Sequence, residues 1–450
     1  MSHTISISKG LDIRLLGDAS KEIKEIPVSK TVCLSPLDFH GLVPKMLVKE
    51  GEPVKAGDII FFDKKNEQIK FVSPASGSIK QIVRGDKRRI IQILIETDSQ
   101  QTHKKFDVKK IADTAKEEML NLLLESGLWP KFKQRPLDII ADPNNDPKGI
   151  FISSFDSSPL APDYEFVLKG EMEYVQMGLD ALNKLAEGKV HLSSLKNSSF
   201  SSMDNVHHHT FEGVHPVGNV GTQIHHIDPV NKGEFVWCIN IQDVSSIGKL
   251  LATGSLDGKR CIALTGSEIK DPCYLNIHAG TQMSDLVREN VEGENVRHIS
   301  GNVLTGDKKS LDEYIGYYHD QITVIPEGNQ YKFFLTKGWL GLGFDKFSNS
   351  RLFPTFLMPK SKKFTLDTNT NGEERAFVVT GELEKVFPFD ILPMHLAKAA
   401  ITDDIDSMEN LGIYEVAPED FALCEYVCTT KINIQEKIRQ GLDLIASECM

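Results

Sequence analysis

The sequence predicts an α+β multidomain protein, on three observations. Short strand-like runs separated by turns about every 8–12 residues fill positions 45–95, the pattern of a small β sandwich or barrel. A strand–helix–strand succession follows between 148 and 192, which is the cue for a parallel sheet. Residues 391–445 are helical in pattern. A chain of 450 residues has room for three or four domains at about 150 residues each.

The first element is built on two turn signals. Glu50-Gly51-Glu52-Pro53 with Lys55-Ala56-Gly57-Asp58 is one, and Ser73-Pro74-Ala75-Ser76-Gly77 is the other. Between them run Met46-Leu47-Val48, Ile59 to Phe62, Ile69 to Val72, Ile79 to Val83 and Ile90 to Ile95. This arrangement resembles the biotinyl/lipoyl fold, a flattened barrel of two interlocking halves. In carriers of that fold the modified lysine sits at the hairpin tip, where Asp63-Lys64-Lys65-Asn66 stands here. A carrier bearing an arm on Lys64 or Lys65 is one reading, and a structural barrel with a solvated hairpin is the other. Residues 1–44 are expected to wrap the barrel, with strands over 23–29 and 31–34.

Helical spacing of Ile111, Ala115, Met119, Leu122 and Leu123 predicts a helix ended by Gly127 and by Trp129-Pro130. A buried strand is expected at 150–155, a helix at 171–187 and a strand at 190–192. No G-x-G-x-x-G and no G-x-x-x-x-G-K-[ST] occurs, so the glycines that let a backbone approach a pyrophosphate are missing. Gly213, Gly218 and Gly221 mark a loop after three consecutive histidines; a strand at 236–241 and a helix at 244–251 follow. Mixed short strands suggest a compact α+β unit over 268–330. Residues 333–365 are aromatic, basic and glycine-rich, and Pro418-Glu419-Asp420 signals a helix start.

Composition limits function. The formal net charge of −12 disfavours general nucleic-acid binding, which needs a Lys/Arg excess. No signal peptide is expected from residues 1–10, and no run approaches the roughly 18–20 apolar residues that cross a bilayer. Seven scattered cysteines read as reduced thiols. His207, His208, His209, His215, His225 and His226 lack the fixed spacing of a zinc site, so no metal ligands are expected among them. Cys424 and Cys428 share a helical face, but the other cysteines of an iron–sulfur run are absent, and two buried structural thiols are expected. No nucleophile elbow is present. The residues alone describe a soluble multidomain protein with no complete catalytic motif.

Nine separated motifs carry a resemblance over essentially the whole chain. They are Lys9-Gly10-Leu11-Asp12, Val48-Lys49-Glu50-Gly51, Pro74-Ala75-Ser76-Gly77, Ser126-Gly127-Leu128-Trp129 with Arg135-Pro136, the run from Gly213 through His215-Pro216, Gly218 and Gly221-Thr222 to His225, Ile299-Ser300-Gly301, Tyr317-Tyr318-His319-Asp320-Gln321, Thr370 to Arg375, and Leu423-Cys424 to Cys428. Together they resemble the A-subunit family of the sodium-translocating NADH:quinone reductase, itself related to the C-subunit of the Rnf complex. Gln223 departs from the histidine expected there.

The resemblance implies four parts. They are a barrel-sandwich (biotinyl/lipoyl-like) domain at 1–100, a Rossmann-like α/β domain lacking cofactor glycines at 101–257, a β-grasp (SLBB-like) ligand-binding-type domain at 258–332, and a linker with a C-terminal helical domain at 333–450. It implies a peripheral subunit on the cytoplasmic face of the cell membrane, part of a translocase in the respiratory chain. That complex passes electrons from NADH through flavins and an iron–sulfur centre, all held by other subunits, to quinone, and exports sodium. The chain itself is expected to hold no cofactor or metal and no catalytic residue. It would serve the step from semiquinone to quinol and dock on an integral membrane subunit. The alternatives are a lipoyl/biotinyl-type carrier or a purely structural assembly subunit. A quinone site needs an apolar, aromatic wall with a few hydrogen-bond donors. Phe39, His40, Trp129, Phe132 and Arg135 supply those residue types near the strongest motifs, and they are the expected quinone-adjacent residues.

Overall fold

A computed structural model describes residues 4–330, 342–349, 351 and 353–449. The part of the aromatic, glycine-rich run at 333–341, with 350 and 352, lies outside the described residues.

The barrel forms where the turn signals place it. One antiparallel sheet runs in the order Thr31–Leu34, Ile90–Thr97, Gly77–Arg84, Pro53–Val54, and a second holds Pro44–Met46, Ile59–Asp63 and Lys70–Val72. Alternation puts Ile93 and Ile95 fully inside, Ile60 and Phe61 are buried in succession where the pairing with Lys70–Val72 shifts register, and the Phe61 and Phe71 rings stack at 4.5 Å. The first thirty residues do not all wrap it. Thr4–Ile7 adds as a parallel edge strand to the α/β sheet beside His207–Gly213. Ile23–Glu25 adds to a third sheet beside Cys273–His278. Local β propensity announces a strand and leaves open which sheet it joins.

The α/β domain holds a seven-stranded sheet: Thr4–Ile7, His207–Gly213, Val190–Leu195, Ile150–Ser153, Val236–Cys238, Lys133–Arg135, Ile139–Ile140. The first five pair in parallel, Lys133–Arg135 pairs antiparallel with Val236–Cys238, and Ile139–Ile140 pairs antiparallel with Lys133–Arg135. On Ile150–Ser153, Ile150 and Ile152 face the helices Met172–Leu185 and Ile241–Thr253, while Phe151 faces the helix Val220–Ile227. The loop expected at Gly213, Gly218 and Gly221 is confined to 214–219: His207–Gly213 is a strand, Gly218 lies in the loop, and Gly221 lies inside the helix Val220–Ile227. The two long helices cross through a reciprocal pair of glycines. A methyl at Gly178 would lie 2.1 Å from the Val244 carbonyl oxygen, and one at Gly248 would lie 1.8 Å from that of Tyr174.

The β-grasp unit is a six-stranded sheet in the order Asp307–Lys309, Val296–Ser300, Gln321–Pro326, Lys259–Thr265, Cys273–His278, Ile23–Glu25, covered by the short helix Met283–Val287. The C-terminal helices Pro393–Ile401, Ile405–Asn410, Ala422–Val427 and Ile434–Glu448 bury Leu396, Met408, Phe421 and Ile438. Cys424 and Cys428 are both buried there, with Cys428 Sγ 3.0 Å from Thr430 Oγ1. Burial drives the Cys424 thiol well above its ordinary value.

Gly248→Ala is expected to destabilise the chain by about 3 kcal/mol, because backbone and not a flexible side chain stands in the way. Gly170→Ala, where nothing lies within 4 Å, serves as the control and is expected to be nearly neutral. Denaturant unfolding of the two variants measures the difference.

Candidate functional site

The parallel sheet reverses its strand order between Ile150–Ser153 and Val236–Cys238. The chain leaves the first toward Val190–Leu195 and returns to the second after the helix Val220–Ile227. A crevice opens at the carboxyl ends of strands at such a switch point. Here it is a cavity of about 440 Å³, bordered by Ser153, Asp156, Cys238 and Asn240 of the α/β domain. The β-grasp unit adds Asn302 and Asp320, and the C-terminal domain adds Pro418 and Glu419. Asp156 is held by the Ser158 backbone N–H at 2.7 Å and the Ser158 hydroxyl at 3.0 Å, and its burial still raises its pKa. His215 is buried with Nδ1 2.9 Å from Ser157 Oγ, and burial lowers it to about 4, so it is neutral at pH 7.

Lys131 forms the wall between this cavity and a second one of about 80 Å³, which Ser35, Asp38, Phe71, Leu128 and Tyr317 also border. Its Nζ lies 3.3 Å from Asp243 Oδ1, donates to the Tyr317 carbonyl at 3.3 Å, and sits 3.9 Å from the centre of the Tyr317 ring. Burial and the neighbouring Arg260 charge pull its pKa down to about 8 against the opposing carboxylates. Arg260 donates to Asp243 at 2.6 Å and to Asp320, while Tyr164 Oη donates to Asp320 at 2.7 Å and Asn240 Nδ2 donates to it at 2.9 Å. Asp243 stays ionised below its ordinary range because Arg260 and Lys131 outweigh the cost of its burial.

The sequence-predicted residues fall into four places. Phe39 is buried, with its ring 4.6 Å from Phe71, 4.7 Å from Tyr317 and 5.8 Å from Tyr318. It stands behind the smaller cavity's aromatic wall. Trp129 and Phe132 are fully buried in the domain core, stacked on each other at 4.9 Å, with Trp129 Nε1 donating to the Ala141 carbonyl. They border neither cavity. Arg135 borders the larger cavity and donates to Asp420 Oδ2 at 2.5 Å, Glu419 Oε1 at 2.8 Å and the Glu415 carbonyl at 3.1 Å. Burial opposes its charge, and the two carboxylates more than offset that cost. His40 is apart from these, on the surface, with Nε2 2.7 Å from Asp443.

Sequence reasoning thus reached the stretch from Trp129 to Arg135 but passed over Lys131, Asp243 and Arg260. A lysine between two apolar neighbours, Pro130 and Phe132, was the available signal. Tyr317 and Asp320 were present only inside a motif.

The remaining candidates are structural in their contacts. The Lys64–Lys65 hairpin is docked on the α/β domain, with Asn66 Nδ2 3.2 Å from Asp142 and Gln68 Nε2 3.2 Å from Asn144. His207, His208 and His209 lie on a strand. His191 Nδ1 is 3.0 Å from His209 Nε2, and burial lowers His191 to about 4. His225 bridges Glu415 at 2.6 Å and the Asp390 backbone N–H at 2.9 Å. His226 Nδ1 lies 2.8 Å from the Thr222 carbonyl. Gln223, at the position that departs from the expected histidine, donates to Ser153 Oγ at 2.8 Å and the Val217 carbonyl at 3.1 Å. Among the described residues no group of three or more His, Cys, Asp or Glu is arranged to hold a metal ion.

Barrel-sandwich, α/β and β-grasp units in this order, followed by C-terminal helices that border the same switch-point cavity, make this a multidomain α+β protein. Models of the NqrA N-terminal barrel-sandwich hybrid domain, the NqrA second alpha/beta domain and the NQRA C-terminal domain match residues 5–98, 114–256 and 261–310. The chain belongs to the NqrA family, the A-subunits of Na(+)-translocating NADH-quinone reductase. It is 38% identical over 447 residues to the A-subunit from Marinomonas sp., covering 98% of this chain and 99% of that one. It is 37% identical to the Photorhabdus laumondii protein over 452 residues and 38% identical to a Haemophilus influenzae one over 451, each covering 99% of this chain and 100% of the relative. Among solved structures, an NAD+-reducing nickel–iron hydrogenase in its hydrogen-reduced state aligns at a TM-score of 0.40 with 9% identity, covering 75% of this chain and 62% of that one.

Arg135→Ala would leave Asp420 buried without its cation, whereas Lys133→Ala removes a half-exposed partner of Asp138. The first is expected to cost about 3–5 kcal/mol and the second less than about 1 kcal/mol. Chemical denaturation checks both.

Proposed function

We propose that this chain serves the quinone-reducing step of the sodium-exporting complex as a peripheral subunit on the cytoplasmic face of the cell membrane. In this reading it docks on an integral membrane subunit, while NADH, the flavins and the iron–sulfur centre are handled by other subunits. The names of its relatives supply the class of reaction, a quinone reductase coupled to sodium translocation. Among the described residues no helix is long and apolar enough to cross a membrane, which agrees with attachment through partners.

One observation carries the quinone reading. Lys131, a largely desolvated cation whose pKa lies near 8, stands between two cavities beside an aromatic wall of Phe71 and Tyr317. A quinone ring wants apolar contact on its faces and a hydrogen-bond donor at a carbonyl oxygen. Carbonyl oxygens gain charge on reduction, so a charged donor there favours the reduced product. Phe39 sets the wall by packing behind Phe71 and Tyr317, and Arg135 places a second cation at the rim of the larger cavity. Trp129 and Phe132 act at one remove, as the core that fixes Lys131 between them. His40 would act at the domain surface through Asp443.

The sign of the pH dependence follows from Lys131. Its ammonium is present below about 8 and is lost as pH rises through that value. Quinone reductase activity of the assembled complex is therefore expected to fall on that alkaline limb. Lys131→Met is expected to lower kcat roughly tenfold and to remove the limb, with assembly intact. An unchanged rate and an unchanged pH profile in that variant would leave the chain a purely structural subunit.

A further inference from the structure

Four large apolar side chains stand out from one short part of the surface. Leu342 is 79% exposed, Leu357 75%, Phe344 58% and Phe356 54%. The backbone that carries them is anchored. Ser348 N–H donates to Thr355 Oγ1 at 3.1 Å, and that hydroxyl donates to the Lys346 carbonyl at 2.8 Å. Lys362 Nζ donates to the Phe344 carbonyl at 2.6 Å, tying the two arms together. Arg14 clamps the whole from below, donating to the carbonyls of Pro359 at 2.8 Å and Thr355 at 3.0 Å, with its guanidinium over the Phe347 and Phe364 rings. Thr355 and Phe364 are buried. The exposed side chains are thus held outward by a built platform, at a high cost in hydrated apolar surface unless something covers them.

Charge says what covers them. Between 342 and 364 the sequence carries Lys346, Arg351, Lys360, Lys362 and Lys363 against the single acid Asp345, in a chain whose net charge is −12. Lys363 is ion-paired with Asp18, and Arg351 lies 5.8 Å from the Phe356 ring centre. Cations interleaved with aromatic and leucine side chains are the chemistry of an anionic lipid interface, where rings enter the headgroup layer and ammonium or guanidinium groups meet phosphate. The acidic remainder of the chain is repelled by the same surface, so contact is favoured through this patch in one orientation.

We infer that residues 342–349 and 353–363, with Arg351, form a membrane-seating element that binds an anionic phospholipid surface directly. Phe344, Phe356 and Leu357 enter the headgroup layer, and the exposed Arg351 and Lys360 pair with lipid phosphates. The setting rests on the peripheral-subunit reading above, but lipid contact is read on this chain alone.

The test is co-sedimentation of the isolated full chain with vesicles of phosphatidylcholine containing roughly one third phosphatidylglycerol, beside phosphatidylcholine alone. The expected result is at least about tenfold stronger partition to the anionic vesicles, weakening with salt. The pair Phe356→Ser with Leu357→Ser, and the pair Arg351→Glu with Lys360→Glu, should each lower that partition about tenfold. All four positions are exposed, so melting curves should match the wild type. Equal binding to both vesicle types, or double variants that bind like the wild type, overturns the proposal. A wild-type chain that ignores vesicles while Phe356→Ser with Leu357→Ser releases it from the integral membrane subunits also overturns it, in favour of a protein partner. Failure of the wild type to co-purify with integral subunits, in a chain that does bind anionic vesicles, counts against the peripheral-subunit reading and supports the lipid contact.

Discussion

Arg260 is held between Asp243 and Asp320 out of reach of bulk water, and the relative placement of two domains depends on that contact. Asp243 sits in the first turn of Ile241–Thr253, where the helix N-terminus favours a negative charge. Arg260 projects from the first β-grasp strand, and Asp320 directly precedes the last. A buried charge pair offsets its desolvation only with near-ideal geometry and with its remaining polar groups satisfied. Tyr164 and Asn240 provide that satisfaction at Asp320. The two units therefore have little freedom to slide, since any shift would strand a buried carboxylate.

The depressed titration of Lys131 is a consequence of this arrangement. Its desolvation comes first, and it is also placed beside a guanidinium that already uses both carboxylates, so it shares Asp243 and loses part of its hold on the proton. The same residue closes the wall between two cavities. A lysine with these neighbours can hold a proton for a ligand's oxygen or release it near neutral pH, whereas an unperturbed surface lysine keeps its proton there.

Arg135 does for the C-terminal helices what Arg260 does for the β-grasp unit. Its guanidinium and the Asp420 carboxylate press on Gly221 near the N-terminus of Val220–Ile227, where an added methyl would lie 2.4 Å from Asp420 and 2.5 Å from Arg135. A side chain of this protein thus occupies the helix end that in open α/β sheets is available to an anionic ligand. The switch-point cavity is narrowed from the C-terminal side by the chain's own acid.

Much of the architecture was legible in the residues. Turn chemistry at Gly51 and Gly57 located the barrel, and periodicity located the helices that appear as Lys116–Glu125 and Met172–Leu185. Side-chain type also drew attention to the stretch from Trp129 to Arg135. It overvalued the aromatic rings there, because a tryptophan that packs a core and one that lines a site look alike in sequence. It undervalued Lys131, whose character comes from Asp243 and Arg260, more than a hundred positions away. The edge strands Thr4–Ile7 and Ile23–Glu25 were similarly hidden, since strand propensity is local and partner choice is not. What the sequence by itself determined was the set of elements, the family and the missing phosphate-binding glycines, because these rest on neighbours within a few residues. Which charges share a buried site, and so which residue can act, was decided only by the tertiary structure, because desolvation and Coulomb energy depend on distances that no local spacing records.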